Sequence, residues 1–429
     1  MSNSRYTSVG MIMFLITASV AFTRVNEFGL SATMTLWQDQ LGINSAQAGM
    51  GLSVIFIGCG VFSLLGGSIV NKMGVKNSYT LALSFISIGL LMNFIVTNYA
   101  MFLAARIIFS AGMGLSIAFF GGATKEWMNL NQQNLMNTLN TLFPQLGSLL
   151  AFFFLVPLTY ALGSWGAGIG FWGILTAIFT VWWAFSKPKT LEASETSHDG
   201  GIAEENYTTA EVYRMAWSYK ETKLLALSMC FSFANFATFN TFNAQFLGFI
   251  PGVDLATASL MSSLNPLFAI VGAFVCMAII KKTGTRKATS IAGFLLTGLG
   301  TLMCVFFVGT AVGFVGIAVF GFGMAMRMPG VYQMTIEMPG ATPKICSAIN
   351  GFLLGFGFFI AFLSPMVAGA IIDSLGGRNL ENLGVVMAWS SIFCLGGAVC
   401  IALCKEYGPK AMAKRAALAE QSSGKHSKA

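Results

Sequence analysis

Apolar residues run in blocks of about 20 from one end of this chain to the other, each long enough to cross a bilayer core as a helix. Short clusters of glycine, proline, asparagine and lysine separate them. Reading blocks against breakers predicts twelve spans, over residues 9–37, 46–70, 78–97, 100–125, 134–158, 163–186, 222–250, 257–280, 288–309, 311–337, 346–371 and 384–404. One long polar stretch, beginning "SKPKTLEASETSHDGG", parts the sixth from the seventh and predicts a short interfacial helix over 209–219. The expected fold is an all-α membrane protein, with twelve transmembrane helices in two pseudo-symmetric six-helix bundles around a central cavity. The bundles would be residues 1–186 and 222–405, joined by a cytoplasmic linker at 187–221 and followed by a basic tail at 406–429.

The halves resemble each other at an offset of 210 residues. "GSIVNKMGVKN" at 67–77 lies over "MAIIKKTGTRK" at 277–287, matching Gly74 to Gly284, Lys72 to Lys282 and Lys76 to Arg286. "NTLNTLFPQLGS" at 137–148 lies over "SAINGFLLGFGF" at 347–358, matching Asn140 to Asn350 and Gly147 to Gly357. Two matches at one offset imply a parallel repeat, an architecture of transporters that bind substrate between the halves.

Composition agrees with the pattern. Hydrophobic residues make up 55% of the chain, charged residues only 9%, and mean hydropathy is +0.72; soluble domains carry about 25% charged residues. The net charge of +8 is a topology signal. With both termini inside, twenty of the 24 basic residues fall on cytoplasmic segments and Arg378 alone falls outside, as the positive-inside rule requires. That bias accounts for the basic tail without nucleic acid. The expected location is the inner membrane of a bacterium, with lipid around a monomer. The first block lacks the basic leader and small-residue cleavage site of a signal peptide. The eight cysteines form no CxxC pair, and His198 and His426 lie in polar segments. Neither a metal site nor a cofactor nor a catalytic constellation is indicated, and no Walker-type phosphate loop is present.

The loop after the second span, with Gly67, Asn71, Lys72, Gly74 and Lys76, resembles the signature loop of the major facilitator superfamily. There a glycine is followed by an aspartate, a basic residue, a second glycine and further basic residues. "ARIIFSAGMGLS" in the fourth span, with Arg106, Gly112 and Gly114, loosely resembles that family's second motif. The resemblance implies a secondary transporter, with a loop that gates its cytoplasmic side. Asn71 stands where relatives usually carry aspartate and is unable to form the same ion pair. The second copy has Met277 and Lys281 in place of the glycine and the acid. Small-anion porters, of the oxalate, cyanate and nitrate types, are a loose comparison within the family.

Charges inside spans are expensive and normally face a polar interior. Arg24 lies mid-way along the first span with Glu27 one turn on, and Arg327 lies past the middle of the tenth. Two readings stand: Arg24 and Glu27 brace each other, or Arg24 contacts substrate and Arg327 completes a cationic site. Three arginines against one glutamate leave a positive surplus, and a guanidinium binds a carboxylate bidentately. Arg106 is either structural or functional. Glu27, the one acid near a span centre, is the candidate proton carrier; without it the protein would be an exchanger or uniporter. In the seventh span, "NFATFNTFNAQF" places Asn235, Phe239, Phe242 and Phe246 on one stripe, with Asn240, Asn243 and Gln245 nearby. This mixture suits either a ligand with an apolar body or amides bonding between helices. Asn137, Asn140, Pro144 and Gln145 in the fifth span, and Asn350 with Gly351, Gly355 and Gly357 in the eleventh, read as packing residues.

The function expected is transport of a small organic anion, a carboxylate, by alternating access, with protons as the candidate coupling ion. The rivals are an exporter of drugs or organic cations using Glu27, and a non-transporting membrane sensor or scaffold.

Overall fold

The computed structural model describes residues 6–190, 208–339 and 342–406. The remaining linker and tail residues lie outside the described set. Regular structure among the described residues is entirely helical: α1 (Val9–Ala32), α2 (Met34–Leu41), α3 (Ser45–Met73), α4 (Val75–Leu91), α5 (Tyr99–Trp127), α6 (Leu130–Leu162), α7 (Trp165–Phe185) and α8 (Thr209–Ser218). Then follow α9 (Lys220–Gly248), α10 (Leu255–Ser262), α11 (Leu264–Thr283), α12 (Lys287–Phe306), α13 (Ala311–Ile336), α14 (Pro343–Ser374) and α15 (Leu380–Leu403). Twelve segments of these are long and apolar enough to cross a membrane, with α10 and α11 forming one of them. The twelve-span reading is therefore what the chain adopts, and the short helix expected near 209–219 is α8.

Local chemistry sets the ends. Asn44 with Gln47, Asn129 with Gln132 and Thr208 with Glu211 form reciprocal capping boxes at α3, α6 and α8, each satisfying two backbone donors that a helix start leaves unpaired. Gly42 and Gly163 close α2 and α6 at φ 61° and 71°, where a side chain would strain the backbone. Two spans are interrupted. The first breaks at Thr33, whose hydroxyl bonds back to the Gly29 carbonyl at 3.0 Å, and α2 continues beyond it. The eighth breaks at Ser263, whose hydroxyl bonds to the Leu260 carbonyl.

Helices inside a membrane associate by close packing rather than by hydrophobic burial, and glycines permit it here at repeated positions. A Cβ on Gly89 of α4 would sit 2.6 Å from the Phe109 nitrogen, and one on Gly112 of α5 would sit 2.7 Å from the Ile86 nitrogen. In α12 and α13, Gly300 meets the Phe320 nitrogen at 2.4 Å and Gly323 meets the Thr297 nitrogen at 2.6 Å. Each residue of the second set is numbered 211 above its counterpart in the first. The internal repeat is thus present in helix packing as well as in the loops.

The chain forms two compact units. Unit 1 comprises Met1–Glu204, Ala237–Leu267 and Phe358–Val386; unit 2 comprises Glu205–Phe236, Phe268–Gly357 and Met387–Ala429. In unit 1, α1 packs on α6 and α7, while α5 packs on α3 and α4. Segments of α9, α10 and α14 join them: Ser31 donates to the Thr241 carbonyl at 3.0 Å, and Ser259 to the Phe152 carbonyl at 2.7 Å. In unit 2, α12 packs along α13, and Tyr213 and Trp217 of α8 lie against Phe352 of α14.

Candidate functional site

The charged pair sits on α1. Ser8 caps that helix by accepting from the Met11 N–H, and the uninterrupted turns that follow put Arg24 and Glu27 at i and i+3, on neighbouring positions of one face. Arg24 Nη1 donates to Glu27 Oε2. The Arg24 side chain keeps 29% of its surface exposed and Glu27 keeps 8%, so the arginine is the accessible partner. Ser31, one further turn along the same face, bonds to the carbonyls of Asn240 and Thr241. Ser31 thus ties the far end of α1 to α9. Asn26, between the two charges in sequence, is buried and its Oδ1 has no hydrogen-bond partner.

The α9 amides bond across helices in this structure. Gln245 Nε2 donates to Gln38 Oε1 at 3.1 Å, Asn243 Nδ2 to Ser262 Oγ at 3.0 Å, and Asn265 Nδ2 to Asn240 Oδ1 at 2.7 Å. Asn235 belongs to unit 2 and donates to Ser390 Oγ at 3.1 Å and Thr301 Oγ1 at 3.4 Å. Phe239 and Phe242 are fully enclosed. Asn235 and these rings lie on one helix but are assigned to different compact units.

Arg327 of α13 is also enclosed. Its Nη2 donates to the Ser232 carbonyl at 3.3 Å, and its guanidinium lies 5.1 Å from the Phe294 ring centroid. Nε and Nη1 have no nitrogen or oxygen partner among the described residues, and the Cys394 thiol interacts with the guanidinium. Gly293 makes room for it, since a Cβ there would lie 2.6 Å from the Arg327 nitrogen. Arg106 of α5 donates from Nε to the Gly51 carbonyl at 3.0 Å and from Nη2 to the Leu52 carbonyl at 2.8 Å. It ties α5 to α3, and its Nη1 is without a hydrogen-bond partner. Arg24 and Glu27 are thus brought together, Arg106 binds backbone within the same unit, and in the other unit Arg327 meets α9 and α12 while Asn235 of α9 meets α12 and α15.

The model of the Major Facilitator Superfamily matches residues 13–242 and 224–412. The chain belongs to the major facilitator superfamily. As a member it is a secondary transporter and not an enzyme. It is 21% identical over 384 residues to a hexuronate transporter of Bacillus subtilis (strain 168), a match covering 85% of this chain and 88% of that one. Its fold is similar to that of a bacterial homolog of the human lysosomal transporter Spinster in an inward-facing, unoccupied conformation. That likeness has a TM-score of 0.78 at 13% identity, and covers 91% of this chain and 96% of the other. A variant of the nucleoside transporter NupG gives a TM-score of 0.72 at 14% identity, covering 91% and 99%.

The residues expected to form the superfamily's signature loop lie at the junction of α3 and α4. Gly74 turns the chain at φ 78°. Lys76 Nζ donates to the Ala184 carbonyl at 2.9 Å, near the end of α7, where free carbonyls favour a cation. Lys72 is exposed. Gly67 and Asn71 are helical, and their side-chain surroundings lie outside the described set. In the second copy, Gly284 takes φ 70° and Arg286 Nη2 pairs with Glu337 Oε1 at 2.7 Å. The backbone N–H groups of Arg286 and Lys287 both donate to Glu406 Oε1. Glu337 is a binding partner that the sequence pattern alone did not single out.

Proposed function

We propose that this transporter carries a small organic anion, specifically a carboxylate, by alternating access, as a monomer with both termini in the cytoplasm of a bacterial inner membrane. One observation carries the reading: Arg24, two-thirds of the way along α1, is the more exposed member of its pair with Glu27. A guanidinium in that position offers a carboxylate two parallel donors. Arg327 adds a buried cation that has the Cys394 thiol beside it and, among the described residues, no carboxylate partner, and an arriving anion would pair with it. The named cargo of the hexuronate transporter, a sugar acid, supports the same chemistry. Orientation rests on the lysines and arginines flanking the spans.

Glu27 is the proposed proton carrier. When substrate takes Arg24, Glu27 loses its cation, and an unpaired carboxylate inside a membrane sheds its charge by taking a proton. Substrate and proton then travel together. The test is thermal stabilisation of the purified protein by carboxylates and by their neutral methyl esters. Stabilisation by the acids alone, lost in Arg24→Ala, is expected; equal stabilisation by acid and ester would end the proposal.

A further inference from the structure

The start of α3 is completed by a residue far away in sequence. An α-helix begins with four backbone N–H groups that its own turns leave unpaired. Here Asp373, in the last turn of α14, accepts from Ser45 N–H at 3.0 Å through Oδ1 and from Ala46 N–H at 2.9 Å through Oδ2. Asn44 Oδ1 takes the Gln47 N–H at 2.8 Å. Between them the two side chains satisfy three of the four donors, and a carboxylate at a helix start also meets the favourable end of its dipole. The helices are pressed together at the same point. A Cβ on Gly49 would lie 2.2 Å from the Pro365 carbonyl oxygen, and one on Gly369 would lie 2.2 Å from the Ser45 carbonyl oxygen. Ser31 with Asn240, Gln38 with Gln245, and Asp39 with Arg378 at 2.7 Å join further segments of unit 1. All these contacts lie inside one compact unit.

We propose that Asp373 is a positioning residue of the transport cycle: it latches the start of α3 to α14, and its release is a step in opening that end of the protein. The inference rests on the alternating-access reading. A latch must hold and also let go. The two charge-assisted bonds and the glycine contacts hold it. The half-buried setting of Asp373 lets water replace its bonds when the helices part. The Arg378 pair contributes less, because Asp39 keeps 63% of its side-chain surface exposed.

Asp373→Asn keeps one acceptor and loses the charge and the second acceptor. A hydrogen bond to a charged group contributes enough that losing one shifts a two-state population by about tenfold. Hydrogen–deuterium exchange on the purified full-length protein reads that shift. Amides in 28–42, 43–50, 238–247 and 369–378 are expected to exchange about tenfold faster together, and Asp373→Glu should restore protection in part. Faster exchange confined to residues 45–47 means that the side chain only caps a helix, and the latch is then wrong; unchanged exchange overturns it equally. Where Asp373→Asn fails to fold, Ser45→Pro removes one donor at a helix position that proline suits, and the same joint rise is expected. Coordinated exchange in a protein that binds no carboxylate would leave the latch standing and overturn the substrate reading alone.

Discussion

Arg24→Ala separates a binding arginine from a bracing one. Arg24 is partly exposed and pairs with Glu27 on the same helix. Losing a charge-assisted bond to a substrate carboxylate removes about 1.5–3 kcal/mol, which is roughly a 10- to 150-fold rise in Kd. The ion pair itself is worth less, since a pair with an exposed member contributes about 1 kcal/mol or below. Glu27→Gln should therefore change binding by about fivefold at most. The double variant should match Arg24→Ala, because Glu27 acts on the ligand only through Arg24. The assay is a double-mutant cycle on carboxylate affinity by isothermal titration, with melting temperatures to check the fold. Equal losses from both single changes, with a milder double change, would refute the binding role and make the pair a brace.

Three further outcomes are expected. Glu27→Gln should keep substrate exchange across proteoliposomes and lose accumulation driven by an imposed proton gradient; wild-type protein indifferent to the gradient would remove Glu27 as proton carrier. Arg327→Leu should fold with an unchanged or higher melting temperature, because it removes a buried cation with no carboxylate partner among the described residues, yet transport less than about a tenth of the wild-type flux if the cation meets substrate; undiminished flux would make it a packing residue. Gly89→Val and Gly300→Val place bulk against the nitrogens of Phe109 and Phe320. Both should lower the melting temperature by similar amounts, about 1–3 kcal/mol of lost stability each, and a large effect in one alone would contradict the packing repeat.

The spans were readable because each is apolar all round for about 20 residues, a signal that survives uncertainty at its ends. The breaks at Thr33 and Ser263 were not, since a hydroxyl that bonds back one turn occurs in intact helices too. The repeat showed in the loops at one offset, while its expression in packing was hidden among 48 glycines. Only the geometry shows which of them meet backbone. Arg24 and Glu27 were legible because their contact is local. The identities of the α9 amides were visible, but their partners on other helices were not. The same holds for Asp373, whose acceptors reach amides more than three hundred residues away. Arg327 and Arg106 stood out as charges in apolar blocks. That one stacks on Phe294 and the other holds the carbonyls of Gly51 and Leu52 depends on tertiary contacts that no local pattern encodes.

Counterflow in proteoliposomes tests the carboxylate cargo most directly. Vesicles holding the purified transporter are loaded with one unlabelled compound and diluted into the labelled form of the same compound. The panel sets a hexuronate and simple carboxylates against the parent neutral sugar, a nucleoside and an organic amine. Accumulation of label is expected with carboxylates alone, and it should vanish in Arg24→Ala. Counterflow of the neutral sugar, the nucleoside or the amine with the carboxylates inert would contradict the anion reading outright.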